Sequence, residues 1–181
     1  MEGARGDGDA AADAMTNGQP QAGPTNDRCC EARIELTSNT AYLCSVRDVV
    51  RRVARRMGFG DDQAAQIVLA VDEGLANVMK HGYDGRPDGP IAVELCGCCD
   101  CARGPGIRIV VEDRARQVDP ATIKSRDLDD IRPGGLGVHI MREVMDTVHY
   151  EPREGGGMRL TLVKFLSSPA VAGGRGGCQH A

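Results

Sequence analysis

The segment Ile67–Tyr83, IVLAVDEGLANVMKHGY, constrains this chain more than any other. Ile67, Val71, Leu75 and Val78 recur at helical spacing, so one face of a helix can pack on a core. Val68, Leu69, Ala70, Ala76 and Met79 make the other faces apolar too, and a helix apolar nearly all round belongs inside a fold. Glu73, Asn77 and His81 nevertheless stack at four-residue intervals as a polar stripe. A carboxylate and an amide buried without partners cost on the order of several kcal/mol. A metal ion with an anionic ligand is one partner that would meet them. A satisfied buried network or a solvated stripe is the plainer alternative, and spacing alone favours it.

A length of 181 residues suffices for one domain with a sizeable core. The net charge of −4 argues against nucleic-acid binding through a broad basic surface, and an aromatic content of 3% without tryptophan offers few platforms for stacking bases. No apolar run approaches the roughly 20 residues that span a bilayer. The acidic, glycine-rich start MEGARGDGDA lacks the features of a signal peptide, so a cytoplasmic protein is expected. Of eight cysteines, Cys96, Cys98, Cys99 and Cys101 crowd into six residues. Without an export signal a disulfide framework is not expected, and the cluster is too crowded to staple distant parts of a fold. Cys96-x-x-Cys99 and Cys98-x-x-Cys101 have zinc-like spacing, but four thiols so close leave little backbone to wrap one ion. A tolerated elaboration of a hairpin is the preferred expectation.

In chain order, residues 1–28 lack large apolar side chains and are expected to be a disordered tail. Arg33–Thr37 alternates as a strand, and Ser38 or Asn39 can cap a helix reaching about Met57. That helix carries Leu43, Val46, Val50 and Val53 as a stripe, with Arg47, Arg51, Arg52, Arg55 and Arg56 elsewhere, a solvated face or a surface for an acidic partner. Asp61 or Asp62 caps the central helix, and a loop, 84–90, comes after it. Strands Ile91–Cys96 and Ile107–Glu112 read as a hairpin joined by the cysteine-rich segment. A polar flap continues to Arg132, then a helix from Val138 to about Asp146, strands Thr147–Glu151 and Met158–Phe165, and a flexible tail, 167–181. Helices mixed with hairpins predict an α+β two-layer sandwich with a mostly antiparallel sheet and helices on one face, rather than a doubly wound parallel sheet.

Four stretches can carry chemistry. Asn77 can offer an amide oxygen to Mg²⁺, and Glu73 one turn earlier can deprotonate a hydroxyl or a water. Asp113, ending Val111-Glu112-Asp113, can accept a hydrogen bond from an adenine amino group, or is an ordinary strand-end turn residue. Gly134-Gly135-Leu136-Gly137 enters a helix and permits close approach of phosphate, or is a tight turn. Thr161 can touch a ligand or be a plain strand threonine. No phosphate-binding loop of the G-x-x-x-x-G-K-[ST] type is present, and Gly135-Leu136-Gly137 lacks the third glycine of a dinucleotide fingerprint.

DEGLANVMKHGY, VEDRARQVDP, GGLGVHIMREVMDTVHYE and GGMRLTLVKF, in this order, resemble the anti-sigma-factor serine kinases of the GHKL ATPase superfamily, which share the Bergerat (histidine-kinase-like ATPase) fold. The resemblance spans about residues 32–166. It implies that Glu73 is the catalytic base, that Asn77 holds Mg²⁺, and that Asp113 binds adenine. Gly134, Gly135, Leu136 and Gly137 would form the phosphate-side motif, Thr161 would lie near the nucleotide, and Lys80 and His81 would extend the first motif. It further implies ATP and Mg²⁺ as cofactors, a sigma factor and a STAS-type anti-sigma-factor antagonist as partners, and a homodimer. A nucleotide-binding module that holds a partner without phosphotransfer is the alternative. A histidine-kinase catalytic domain is disfavoured because no helix pair bearing an acceptor histidine precedes residue 32. One position departs from the family pattern, Asp113-Arg114-Ala115, where the family has Asp-x-Gly. If residue 115 needs a positive φ, alanine there costs roughly 1 kcal/mol and weakens the nucleotide site.

Overall fold

Alternating apolar side chains on five strands build a single antiparallel sheet, and three helices cover one of its faces. The computed structural model describes residues 30–100, 102–123 and 136–166, so the two expected tails and most of the flap lie outside the described residues. The strands are β1 (Cys30–Thr37), β2 (Pro90–Asp100), β3 (Gly104–Asp113), β4 (Thr147–Pro152) and β5 (Met158–Phe165), in the spatial order β1-β2-β3-β5-β4. Every neighbouring pair is antiparallel. The helices are α1 (Leu43–Arg56), α2 (Asp61–Asn77) and α3 (Leu136–Val144). The architecture is the expected α+β two-layer sandwich.

The core lies between the helices and the inward side chains of the sheet. Ile91, Val93 and Leu95 of β2, Ile107, Ile109 and Val111 of β3, and Leu160 and Leu162 of β5 meet Val50, Ile67, Val71 and Leu75 from the helices. Truncating a fully buried side chain such as Leu75 to alanine would cost about 2–5 kcal/mol. Gly74 lets α2 settle on the sheet, since a Cβ there would stand 2.7 Å from Leu160 Cδ2.

Several local expectations need correcting. Gly60, not Asp61 or Asp62, occupies the cap position of α2, and the two acids fill its first turn, where they favour the positive end of the helix dipole. Asn39 caps a 3-10 turn, Thr40–Tyr42, that precedes α1. Ser38 instead is buried, accepting from Gly89 N at 3.0 Å. Part of the basic surface of α1 is spent inside the chain, with Arg47 paired to Asp72 at 2.5 Å and Arg56 to Glu31 at 3.3 Å.

The largest departure concerns the cysteines. The expected connecting segment is strand, because β2 runs on through Cys99 to Asp100 with each residue paired to β3. β1 likewise begins earlier than expected, and the register sets Cys30 opposite Cys96, where the two form a disulfide across 66 residues of sequence. The expectation that this cluster joins no distant segments is therefore wrong; pairing between strands, invisible in local spacing, brings the partner. Zinc-like grouping within 96–101 is not assembled among the described residues, since strand alternation sends Cys98 and Cys99 to opposite faces.

Candidate active site

α2 does not continue as an α-helix to Tyr83. At Asn77 it passes into a π-helical turn, Val78–Gly82, closed by Tyr83 N donating to Val78 O at 2.9 Å. Such turns carry an extra residue and re-aim the side chains beyond them. Asn77, Val78, His81 and Gly82 consequently line one wall of a cleft of about 340 Å³. Asp113 and Ala115 at the end of β3, Ile123, Val138 of α3, Tyr150 of β4, and Met158 and Leu160 of β5 complete its floor and rim. The walls are largely apolar, with a few polar groups converging, as small-molecule sites generally are.

Asp113 is the best-determined of these polar groups. It is only 4% exposed. Its Oδ1 accepts from Ala115 N at 2.8 Å and Met158 N at 3.2 Å. Its backbone carbonyl accepts from Arg153 at 2.7 Å. Gly157 closes against this backbone with φ of +85°, and a Cβ there would stand 2.6 Å from the Asp113 carbonyl carbon. Tyr83 braces the adjoining peptide, accepting from Arg114 N at 2.9 Å while donating to Pro90 O at 2.6 Å. Among the described residues no hydrogen bond engages Oδ2, which is left to accept from a ligand. Burial pushes the Asp113 carboxyl above the ordinary carboxylate value, with the Ala115 and Met158 amides and the Arg153 charge opposing.

The structure distributes the remaining expected residues unevenly. Glu73 is half-buried and lies against the start of α3, where a Cβ on Gly137 would meet its carboxyl carbon at 3.3 Å. Leu136, the first residue of α3, is 56% exposed. Gly134 and Gly135 lie outside the described residues. His81 reaches the cleft, whereas Lys80 is exposed and does not line it. Thr161 is not brought to the cleft either. Along β5 the inward residues are Met158, Leu160 and Leu162, so Thr161 faces the other side of the sheet, between Val110 and His149. Ala115 has no positive φ; among the described residues Asp84 alone of the non-glycines does. The strain expected at that position is absent. Ala115 instead packs closely on the π turn, where a Cβ on Gly82 would lie 2.9 Å from its own.

Three contributors were not legible as site residues. Gly157 closes on the Asp113 backbone and the Tyr83 hydroxyl holds the next peptide at Arg114 N, and only the run of glycines, 155–157, gave a local signal. Tyr150 enters the cleft from the edge strand β4. Its hydroxyl is buried with no hydrogen bond of good geometry among the described residues, at a cost of about 1–3 kcal/mol. Burial pushes this phenol above its ordinary range, and Asn77, then Arg142, pull it back.

Comparison with known proteins agrees with this fold. Residues 36–164 match the family described as Histidine kinase-like ATPase domain. The chain is similar to a serine-protein kinase RsbW of Bacillus pumilus, 27% identical over 149 residues that cover 76% of this chain and 87% of that protein. A serine-protein kinase RsbW of Listeria monocytogenes is 26% identical over 142 residues, covering 76% and 88%. Among solved structures, the RsbU and RsbW domains of a Mycobacterium tuberculosis protein superpose with a TM-score of 0.51 at 21% identity, over 74% of this chain and 31% of that one, a likeness of fold. No helix among the described residues is long and apolar enough to cross a membrane. The chain belongs to the histidine kinase-like ATPase domain family.

Proposed function

We propose that this protein is an ATP-dependent anti-sigma factor that phosphorylates a serine of a STAS-type antagonist. The observation that carries the proposal is the largely apolar cleft, lined both by the buried carboxylate of Asp113, whose Oδ1 is held by two backbone amides, and by the amide of Asn77 at a helix end. An adenine presents an exocyclic amine beside a flat apolar ring, and Asp113 Oδ2 with Ala115, Met158 and Leu160 suits both. The similarity to proteins named serine-protein kinase supports phosphotransfer as the chemistry.

The roles rest on residue chemistry. Asn77 Oδ1 is a hard oxygen donor suited to Mg²⁺, which would supply neutralisation of phosphate charge when bound. Glu73 would accept the proton of the incoming serine hydroxyl, with Gly137 leaving room for its carboxylate. His81 would stand at the cleft's rim. Catalysis would rest on positioning rather than on a covalent intermediate. The domain would extend over about 32–166 between two tails, and its partners would be a sigma factor and the antagonist, with a homodimer as the working state.

The test is incubation of the purified protein with labelled ATP, Mg²⁺ and a STAS-type antagonist, then mapping of the phosphorylated residue. Phosphoserine on the antagonist, lost in Glu73→Gln, is the expected result. ATP binding without any transfer would favour the nucleotide-dependent binding module instead.

A further inference from the structure

The proposed chemistry leaves the Tyr150 hydroxyl unused. Tyr150 sits opposite the inward Leu160 in the β4–β5 pairing, so it shares that face of the sheet and lines the cleft. A phenylalanine would fill the same space, so packing alone gives no reason for a hydroxyl there. The hydroxyl is buried and makes no hydrogen bond of good geometry among the described residues. Asn77 lines the same cleft as Tyr150, and the Asn77 amide and the Arg142 charge both favour the ionised phenol. An asparagine amide has two unlike ends, and only Oδ1 is a metal ligand; a half-turn of the amide would present the N–H₂ end and repel a cation. Asn77 lies at the junction of α2 and the π turn, so the backbone does not by itself choose between the two ends.

We propose that Tyr150 is a positioning residue whose hydroxyl oxygen receives the Asn77 amide N–H and thereby turns Asn77 Oδ1 toward the cleft. This rests on the proposal that Asn77 holds the metal of the bound nucleotide. Groups that orient a metal ligand through its other polar end commonly govern affinity without touching the ion. The hydroxyl's own proton remains available for a further acceptor.

The experiment compares full-length wild type, Tyr150→Phe, Asn77→Ala and the double variant. ATP affinity is titrated in Mg²⁺ and in excess chelator, with melting temperature as the control for folding. The readout is the ratio of the two affinities, because loss of cleft packing would weaken both equally. Tyr150→Phe is expected to remain folded and to lose about tenfold of the Mg²⁺-dependent gain, read as the ratio of the two affinities. In the Asn77→Ala background the same change is expected to have no further effect on the ratio. An unchanged ratio in Tyr150→Phe, while Asn77→Ala abolishes the gain, overturns the role of Tyr150 alone. A gain that survives Asn77→Ala, or is missing from wild type, overturns the metal role of Asn77 and the Tyr150 proposal with it.

Discussion

Gly137 and Glu73 face each other so closely that the carboxylate of Glu73 occupies the space where a side chain at residue 137 would begin; a Cβ there would stand 3.4 Å from Glu73 Cβ and 3.3 Å from its Cδ. The glycine at the start of α3 therefore has a steric role as well as any in backbone freedom. It makes room for the proposed base. Gly137→Ala would push the carboxylate aside, and a misplacement of about 1 Å can cost on the order of 10²-fold in rate. The expected outcome is a fall of that size in phosphotransfer with a much smaller change in ATP affinity, checked by steady-state kinetics and calorimetry on one preparation.

Glu73→Gln keeps the shape and removes the basicity. Loss of a general base commonly costs about 10²- to 10⁴-fold, so phosphotransfer should fall by that much while ATP binding is largely retained. Unchanged turnover would remove Glu73 from the role of base and leave its contact with Gly137 as packing.

Asp113 gives a prediction in pH. Its raised pKa means that its contribution to folding stability is present below the ordinary carboxylate range and is lost as pH rises through the raised value. Nucleotide binding has the opposite sign, because the adenine amine needs the ionised acceptor. ATP affinity should thus decline on acidification before an ordinary aspartate would protonate. Asp113→Asn, which can still accept the Ala115 and Met158 amides, should weaken ATP at neutral pH by about tenfold and flatten that acid limb. Affinity measured across the acidic range in both proteins checks the slope.

Ala115→Gly should not tighten ATP binding. Residue 115 lies outside the positive-φ region, so glycine would relieve no strain and would add freedom to the unfolded chain, a loss of about 0.4–1 kcal/mol in stability. A small fall in melting temperature with unchanged affinity is expected; a gain of tenfold or more in affinity would show that the alanine methyl obstructs the ligand.

Much of this site was legible because its residues are close in sequence. Glu73 and Asn77 sit one turn apart on a helix that is otherwise apolar nearly all round, and Asp113 ends an apolar strand. Features decided by pairing between strands were not legible. The cysteine-rich segment looks like a loop because it contains Gly97 and polar neighbours, yet its ladder with β3 keeps it extended. Cys30 finds Cys96 only through the β1–β2 register. The last motif points to Thr161, but the inward direction of Leu160 and Leu162 turns it away. The π turn after Asn77 has no local signature, and Tyr150 shares the cleft with Asn77 only because the edge strand β4 pairs with β5.

The disulfide carries its own prediction. Closing a loop across 66 residues constrains the unfolded chain by about 4 kcal/mol in the chain-entropy description. Fully reduced protein, or Cys30→Ser, should melt several degrees below the oxidised form, read by thermal unfolding with and without reductant. Equal melting temperatures would mean that the cross-link contributes nothing to stability.

The most direct measurement is calorimetric titration of the wild-type protein with ATP, with and without Mg²⁺. Saturable one-site binding that tightens in Mg²⁺ and is lost in Asn77→Ala is the predicted result. No heat of binding up to millimolar ATP in either condition would contradict a nucleotide site between Asn77 and Asp113.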